Sequence, residues 1–398
     1  MIFRSYVIFV FFKCKMIDIQ RYFALKNEIY NNFISFVECE NDIDIYYQIL
    51  IDFLEIHAIQ ENREDMKLFL RLISKVAKNT FRKSNLFEKI EKIILHFENE
   101  IKQTFSNWEI FTFFKKQKRI LLFLFEKRII NVDNAIAQYF LQKNDFYFFH
   151  EIKFFIENKK KEIIESKLAK FEPGILNKYE EKRRVGENDS YICFLIRNDL
   201  IDEFITFVNQ TNLTLSNSIK PSIFETNSFL LKRKEITLIE YAAFFGSIQI
   251  FQYLRLNNIE LTSSLWLYSI HGRNGEIIHL LEESHVVPER KSYEKCLEES
   301  IKCHHNDIAN YIQNNYINSN EEKFNENVLS YSFHYHNYEY FTNDMNNKFI
   351  FYYACQYDYL ELVKLYINRD ELNINLNEKI ILKKNCYFNN VYLVVVNL

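Results

Sequence analysis

The side chains best suited to chemistry lie late in the chain: Cys296, Cys303, His304 and His305, with His271 upstream and His334 and His336 beyond. Thiolate and imidazole are the donors of zinc sites, and a cysteine beside a histidine is also the core of a nucleophilic centre. The spacing supports neither use. Cys296 and Cys303 share one helix face, which is also where two core cysteines sit. His334 and His336 diverge in a segment of helical period, and His271 stands at a turn beside Gly272. The seven cysteines are dispersed and odd in number, without a C-x-x-C, so no disulfide framework or zinc ribbon is indicated and a reducing compartment fits. The five glycines (174, 186, 246, 272 and 275) form no G-x-x-x-x-G-K-[ST] or dinucleotide fingerprint. The H-E-x-x-H, G-x-S-x-G and kinase catalytic-loop patterns are missing as well. The expectation is a chain that is not an enzyme and holds no metal or cofactor.

What must position these residues is read from composition and period. Five glycines and three prolines in 398 residues argue against hairpins and βαβ turns and for helices with short polar joins. Asparagine takes over where glycine is scarce, as the next best left-handed helix end. Net charge is -3, from 50 basic and 53 acidic residues, which gives no field for nucleic acid or an anionic membrane. The runs Lys159–Lys161, Lys182–Arg184 and Lys232–Lys234 each have acidic neighbours and read as solvated surface. Tyr6–Phe12 is apolar but far short of the roughly 18 residues a membrane helix needs. The sequons at Asn188, Asn209 and Asn212 are idle in a cytoplasmic protein, the localisation this reading predicts.

Helical period fills the first half. Leu68, Leu72, Ile73 and Val76 share one face, and Leu86, Ile90, Ile93, Ile94, Phe97 and Ile101 share another. Pro173, Gly174 and Gly186 mark a charged break. Residues 17–185 therefore read as a helical N-terminal domain and 1–16 as a spurious or disordered extension. Beyond the break the chain repeats. The frame Tyr241-Ala242-Ala243-Phe244-Phe245-Gly246 returns as Tyr268-Ser269-Ile270-His271-Gly272-Arg273, again with Ser300, and again with Ala354-Cys355. Leu195 and Ile196 stand at the same place upstream. A weaker copy sets Asn337 and Tyr338 on Ile250 and Phe251. Units of roughly thirty residues are the signature of a solenoid of helix–turn–helix repeats. Small residues let the second helix approach, and Gly246 turns at positive φ without strain.

This frame resembles the ankyrin repeat, T-P-L-H-x-A-A-x-x-G-H followed by I-V, L-L-L and G-A-D-V-N. Thr237, Ile239, Ala242, Ala243 and Gly246 hold the matching positions, and Leu372-Asn373-Ile374-Asn375 is similar to the A-D-V-N end. Leu238 replaces the proline and Glu240 the histidine. The stretch Ser264–His285 also resembles the large ankyrin-like families of protist parasites, which carry a helical N-terminal region of unassigned function. The resemblance covers 189–375 and implies an all-α solenoid of stacked ankyrin-like repeats after a helical N-terminal domain. The apolar tail at 376–398 departs from the pattern and reads as truncated.

The resemblance further implies a non-enzymatic, monomeric module that binds a protein partner through turn tips and first-helix faces. The tips would be Asn257, Asn258 and Glu260 in one join, and His285, Glu289 and Arg290 in the next. Tyr241, Phe244 and Trp266 would be exposed on the first helices. Nucleic acid and membrane are not expected partners. The rival readings are an adaptor that delivers a regulatory or catalytic N-terminal domain, and a purely structural scaffold.

Overall fold

The computed structural model describes residues 2–80, 85–143, 146–156, 178–317, 322–341 and 348–367, with side chains at 2–18, 146, 322–324 and 348 excepted. The C-terminal tail at 376–398 and the Leu372–Asn375 match lie outside the described residues. Every regular element among the described residues is a helix, as composition predicts, and an isolated antiparallel bridge joins Ser218 to Thr237. Two helices start with a full capping box, Ser106 with Glu109 and Thr237 with Glu240. No described helix is long and apolar enough to cross a membrane. The periodic residues are core: Leu68, Leu72, Ile73 and Val76, and Leu86, Ile90, Ile93, Ile94, Phe97 and Ile101, are all buried.

Two compact units divide the chain. One comprises Met1–Leu72 with Asn318–Leu398, the other Ile73–Ile317. The compositional break near 173–188 falls inside the second unit. In the first, the helix Ile2–Glu38 packs on Ile43–Ile56 and on Leu360–Ile367, and Lys348–Gln356 packs on both Glu322–Tyr335 and Leu360–Ile367. Phe23 meets Phe341 edge to face at 5.2 Å, and Tyr30 meets Tyr338 at 6.1 Å. Asp358 receives Lys67 at 2.7 Å and Arg71 at 2.9 Å.

Residues 191–316 of the second unit form four helix pairs: Tyr191–Arg197 with Ile201–Thr211, Leu238–Phe245 with Ile248–Leu256, Leu265–Gly272 with Gly275–Glu283, and Glu294–Lys302 with Asn306–Tyr316. Each first helix contacts the first helix of the next pair, and the second helices of the first three pairs contact in series. The turn inside the pairs repeats in backbone detail. Asp199 (φ 49°), Gly246 (φ 66°), Arg273 (φ 45°) and His304 (φ 59°) take the same left-handed position, as does Asp358 (φ 64°) in the other unit. The offsets between them are those of the repeated sequence frame.

After four of these turns, those at Gly246, Arg273, His304 and Asp358, the next side chain hydrogen-bonds back to the preceding pair. Ser247 Oγ donates to Ile196 O, Asn274 Nδ2 to Gly246 O at 3.0 Å, and His305 Nδ1 to Ile270 O at 2.8 Å. Tyr359 does the same to Phe333 O at 3.1 Å. The small position of the frame is filled by Ala242, Ser269 and Ser300, all 0 % exposed. Both serine hydroxyls return to the carbonyl four residues back, at 2.8 Å, so neither is left unsatisfied. The weak copy needs a correction of register. Its left-handed turn is His336 (φ 57°), and buried Ser332 rather than Leu329 takes the small position.

Candidate functional site

The joins between helix pairs carry the predicted tips. Asn257 closes the helix Ile248–Leu256, with its Nδ2 on Tyr253 O at 2.8 Å. Asn258 (φ 60°) and His285 (φ 52°) occupy equivalent left-handed positions, where the chain leaves the second helix. In both, the following amide reaches back to the helix, Ile259 N to Leu254 O and Val286 N to Leu281 O. Their backbones terminate helices while their side chains, with Glu260, Glu289 and Arg290, are exposed. Arg290 is itself left-handed at φ 58°, and Glu289 has Lys295 at 3.9 Å.

Tyr241, Phe244 and Trp266 are corrected. They are not exposed on the first helices but are 0 %, 4 % and 0 % exposed. Tyr241 accepts a hydrogen bond from Arg197 Nη1 at 3.1 Å. Phe244 stacks between Phe229 at 5.7 Å and the His271 ring at 5.0 Å. Trp266 Nε1 donates to Val286 O at 2.7 Å. Trp266 lies on Leu265–Gly272, where every residue but Leu267 is buried. For Tyr241 and Phe244 the cause is the short helix Leu238–Phe245, where Leu238, Ile239 and every residue from Tyr241 to Phe245 are buried. It has a first helix on either side and the join 212–237 against it, so an aromatic residue on any of those faces is core.

That join, from Asn212 to Thr237, is much longer than the joins Asn257–Ser264 and Ser284–Tyr293. It is pinned by the Ser218–Thr237 bridge, by Ile219 N on Ile236 O at 2.8 Å, and by Asn188 Nδ2 on Lys220 O at 2.8 Å. Ser222 Oγ donates to Asp189 at 2.6 Å, and Lys182 Nζ lies 2.7 Å from the same carboxylate. Burial works against ionisation of Asp189, but these two donors prevail and hold its pKa below the usual range. Beneath the join is a cavity of ≈ 90 Å³. Asn188, Glu225 and Tyr241 are its buried polar lining, and Lys220, Arg233 and Lys234 stand exposed at it.

The residues with chemical potential meet elsewhere. His271 Nε2 lies 2.7 Å from Glu299 Oε1, and Cys303 Sγ lies 3.5 and 3.7 Å from His271 Nδ1 and Nε2. Glu299 is the member that local spacing could not reveal, because it comes from the next helix pair. By type the three suit zinc. Their orientation does not, because a sulfur nearly equidistant from both nitrogens lies over the ring rather than along either lone pair. Burial raises Glu299, yet hydrogen bonds from His271 and Lys302 outweigh it and hold the carboxyl at about 2. Burial lowers His271 and keeps it neutral, a donor to that carboxylate. Burial also pushes the Cys303 thiol up, so it is not a ready thiolate. The arrangement is a buried hydrogen-bonded clamp between two helix pairs. Cys296 is buried at 0 % exposure, with its thiol raised by burial to about 12. His334 stacks on Tyr357 at 5.1 Å.

No protein-family model, curated protein or solved structure matches this chain.

Proposed function

We propose that the chain is a non-enzymatic protein-interaction module. Its ankyrin-like helix pairs form a solenoid that presents the joins between pairs to a protein partner. The observation that carries this reading is the repeated turn of residues 191–316. The same left-handed position and the same return hydrogen bond recur from pair to pair, while Asn257, Glu260, His285, Glu289 and Arg290 stay exposed at successive joins. Such stacks offer one extended surface whose tip residues hold no core position. Tyr241 and Phe244 support that surface from below instead of contacting the partner. The near-neutral charge favours a protein over a polyanion, and the cysteine usage favours a reducing compartment such as the cytoplasm.

The test takes a partner recovered by proximity labelling and measures its affinity for the parent and for Glu260→Lys/Arg290→Glu. Exposed rim charges set partner choice and association rate. Weaker binding at an equal melting temperature is the expected result. Unchanged binding would move the interaction away from these joins.

A further inference from the structure

We infer that the cavity under the join 212–237 is the anchoring subsite of this module, and that it takes an acidic side chain of the partner. The inference rests on the interaction reading and names the chemistry of the partner.

Three observations converge. An ordered join of this length, with only the single 3-10 turn Leu230–Lys232 as helix of its own, carries a large conformational cost, and such long loops in compact domains are usually functional. This one is fastened at Ser218, Ile219, Lys220, Ser222 and Thr226, the last through Thr226 Oγ1 on Gly186 O at 2.6 Å. It is thus a built wall rather than slack chain.

The second observation is charge. Lys220, Arg233 and Lys234 gather at one small opening, and none has a carboxylate partner among the described residues. Arg233 is held instead by ring faces, with its guanidinium 4.8 Å from the Phe229 centroid and 5.7 Å from that of Tyr268. Three unmatched cations in a chain of net charge -3 make a local anion site that the overall balance conceals.

The third is size and lining. A space of ≈ 90 Å³ with Ile219, Leu230 and Ile236 among its walls admits the methylenes of one side chain. Glu225, buried in the lining, repels a second carboxylate and keeps the bound one at the basic mouth. A long polyanion would need a basic track extending past this opening, which the charge balance does not supply.

The experiment pans phage-displayed random dodecapeptides on the full-length chain. Enriched peptides are then measured by fluorescence anisotropy against the parent, Lys220→Glu/Lys234→Glu, Lys220→Ala/Lys234→Ala and Glu260→Lys/Arg290→Glu, all checked for equal melting temperature. Enriched peptides are expected to carry Asp or Glu beside an aliphatic residue. Their affinity should fall roughly tenfold or more in Lys220→Glu/Lys234→Glu, less in the alanine pair, and in the parent as salt rises. Peptides without an acidic residue, an affinity that ignores both lysine variants, or no enrichment at all would overturn the subsite. Loss only in Glu260→Lys/Arg290→Glu would overturn it too, while leaving the interaction reading in place. A labelled oligothymidylate that binds the parent and is lost in the lysine variants would replace the acidic peptide with a nucleic acid.

Discussion

A Cβ built on Gly272 would lie 2.1 Å from the carbonyl oxygen of Ala243 and 2.8 Å from the amide nitrogen of Gly246. The first helices of the second and third pairs therefore meet backbone to backbone, at a distance only glycine allows. Neither obstacle is a flexible side-chain end, so Gly272→Ala must push two helices apart. That strain should cost on the order of 3 kcal/mol, against roughly 1 kcal/mol returned by removing a glycine from a helix. Urea denaturation reads the net loss. A midpoint equal to the parent's would mean that the helices do not approach this closely.

Ala243 is 0 % exposed at the same contact. Ala243→Trp should destabilise the fold by several kcal/mol, about the upper end of overpacking. Thermal melting checks it. A variant that melts with the parent would disprove the register in which Ala242, Ser269 and Ser300 are equivalent.

Much of the fold was legible because helical period and small residues are local signals. The frame around Gly246 was found from Ala242 and Ala243, and its offsets reappear in the left-handed backbone of Asp199, Arg273, His304 and Asp358. At none of those four is the left-handed residue itself a glycine, so residue type alone does not mark the position. The weak copy slipped by three residues for the same reason, since His336 gives no turn signal. Period also says that a face is buried but not against what. Thus Phe23 gave no hint of Phe341, and the exposed reading of Tyr241 and Phe244 failed on a helix buried nearly all round. The cavity was invisible because Ile219, Glu225 and Ile236 lie on a join with no period. Glu299 was missed because its partner His271 belongs to another pair.

The His271–Glu299–Cys303 clamp makes a prediction about metal. As its sulfur lies over the imidazole, full-length protein treated with EDTA should melt at the parent temperature. Glu299→Gln should be destabilising even so, because Lys302 and His271 would lose a carboxylate that is only 14 % exposed. Breaking such a pair from one side costs roughly 3 kcal/mol. A chelator-induced fall of many degrees would instead show that the three side chains reorient around a cation.

Acid should attack the fourth helix pair before the carboxylates titrate. His304 and His305 are 2 % and 0 % exposed. Burial, with Lys75 nearby, lowers His304 from its ordinary 6.5 to about 3. Burial, with Arg273 nearby, lowers His305 well below its ordinary value, although Nδ1 donates to Ile270 O. Both are thus neutral in the folded state and take up protons on unfolding. The contribution of His304 is fully present above pH 6.5 and is lost as pH falls from there toward about 3, and that of His305 is lost in the same direction below pH 6.5. Each steepens the loss by up to about 1.4 kcal/mol per pH unit. Glu299 acts in a separate window, since its stabilisation fades only between its ordinary 4.5 and about 2. His304→Asn removes one titration while keeping a residue type that tolerates φ 59°. Urea midpoints between pH 6.5 and 5 should then decline less steeply in the variant than in the parent. Parallel declines would mean that His304 is already protonated in the folded chain or open to water.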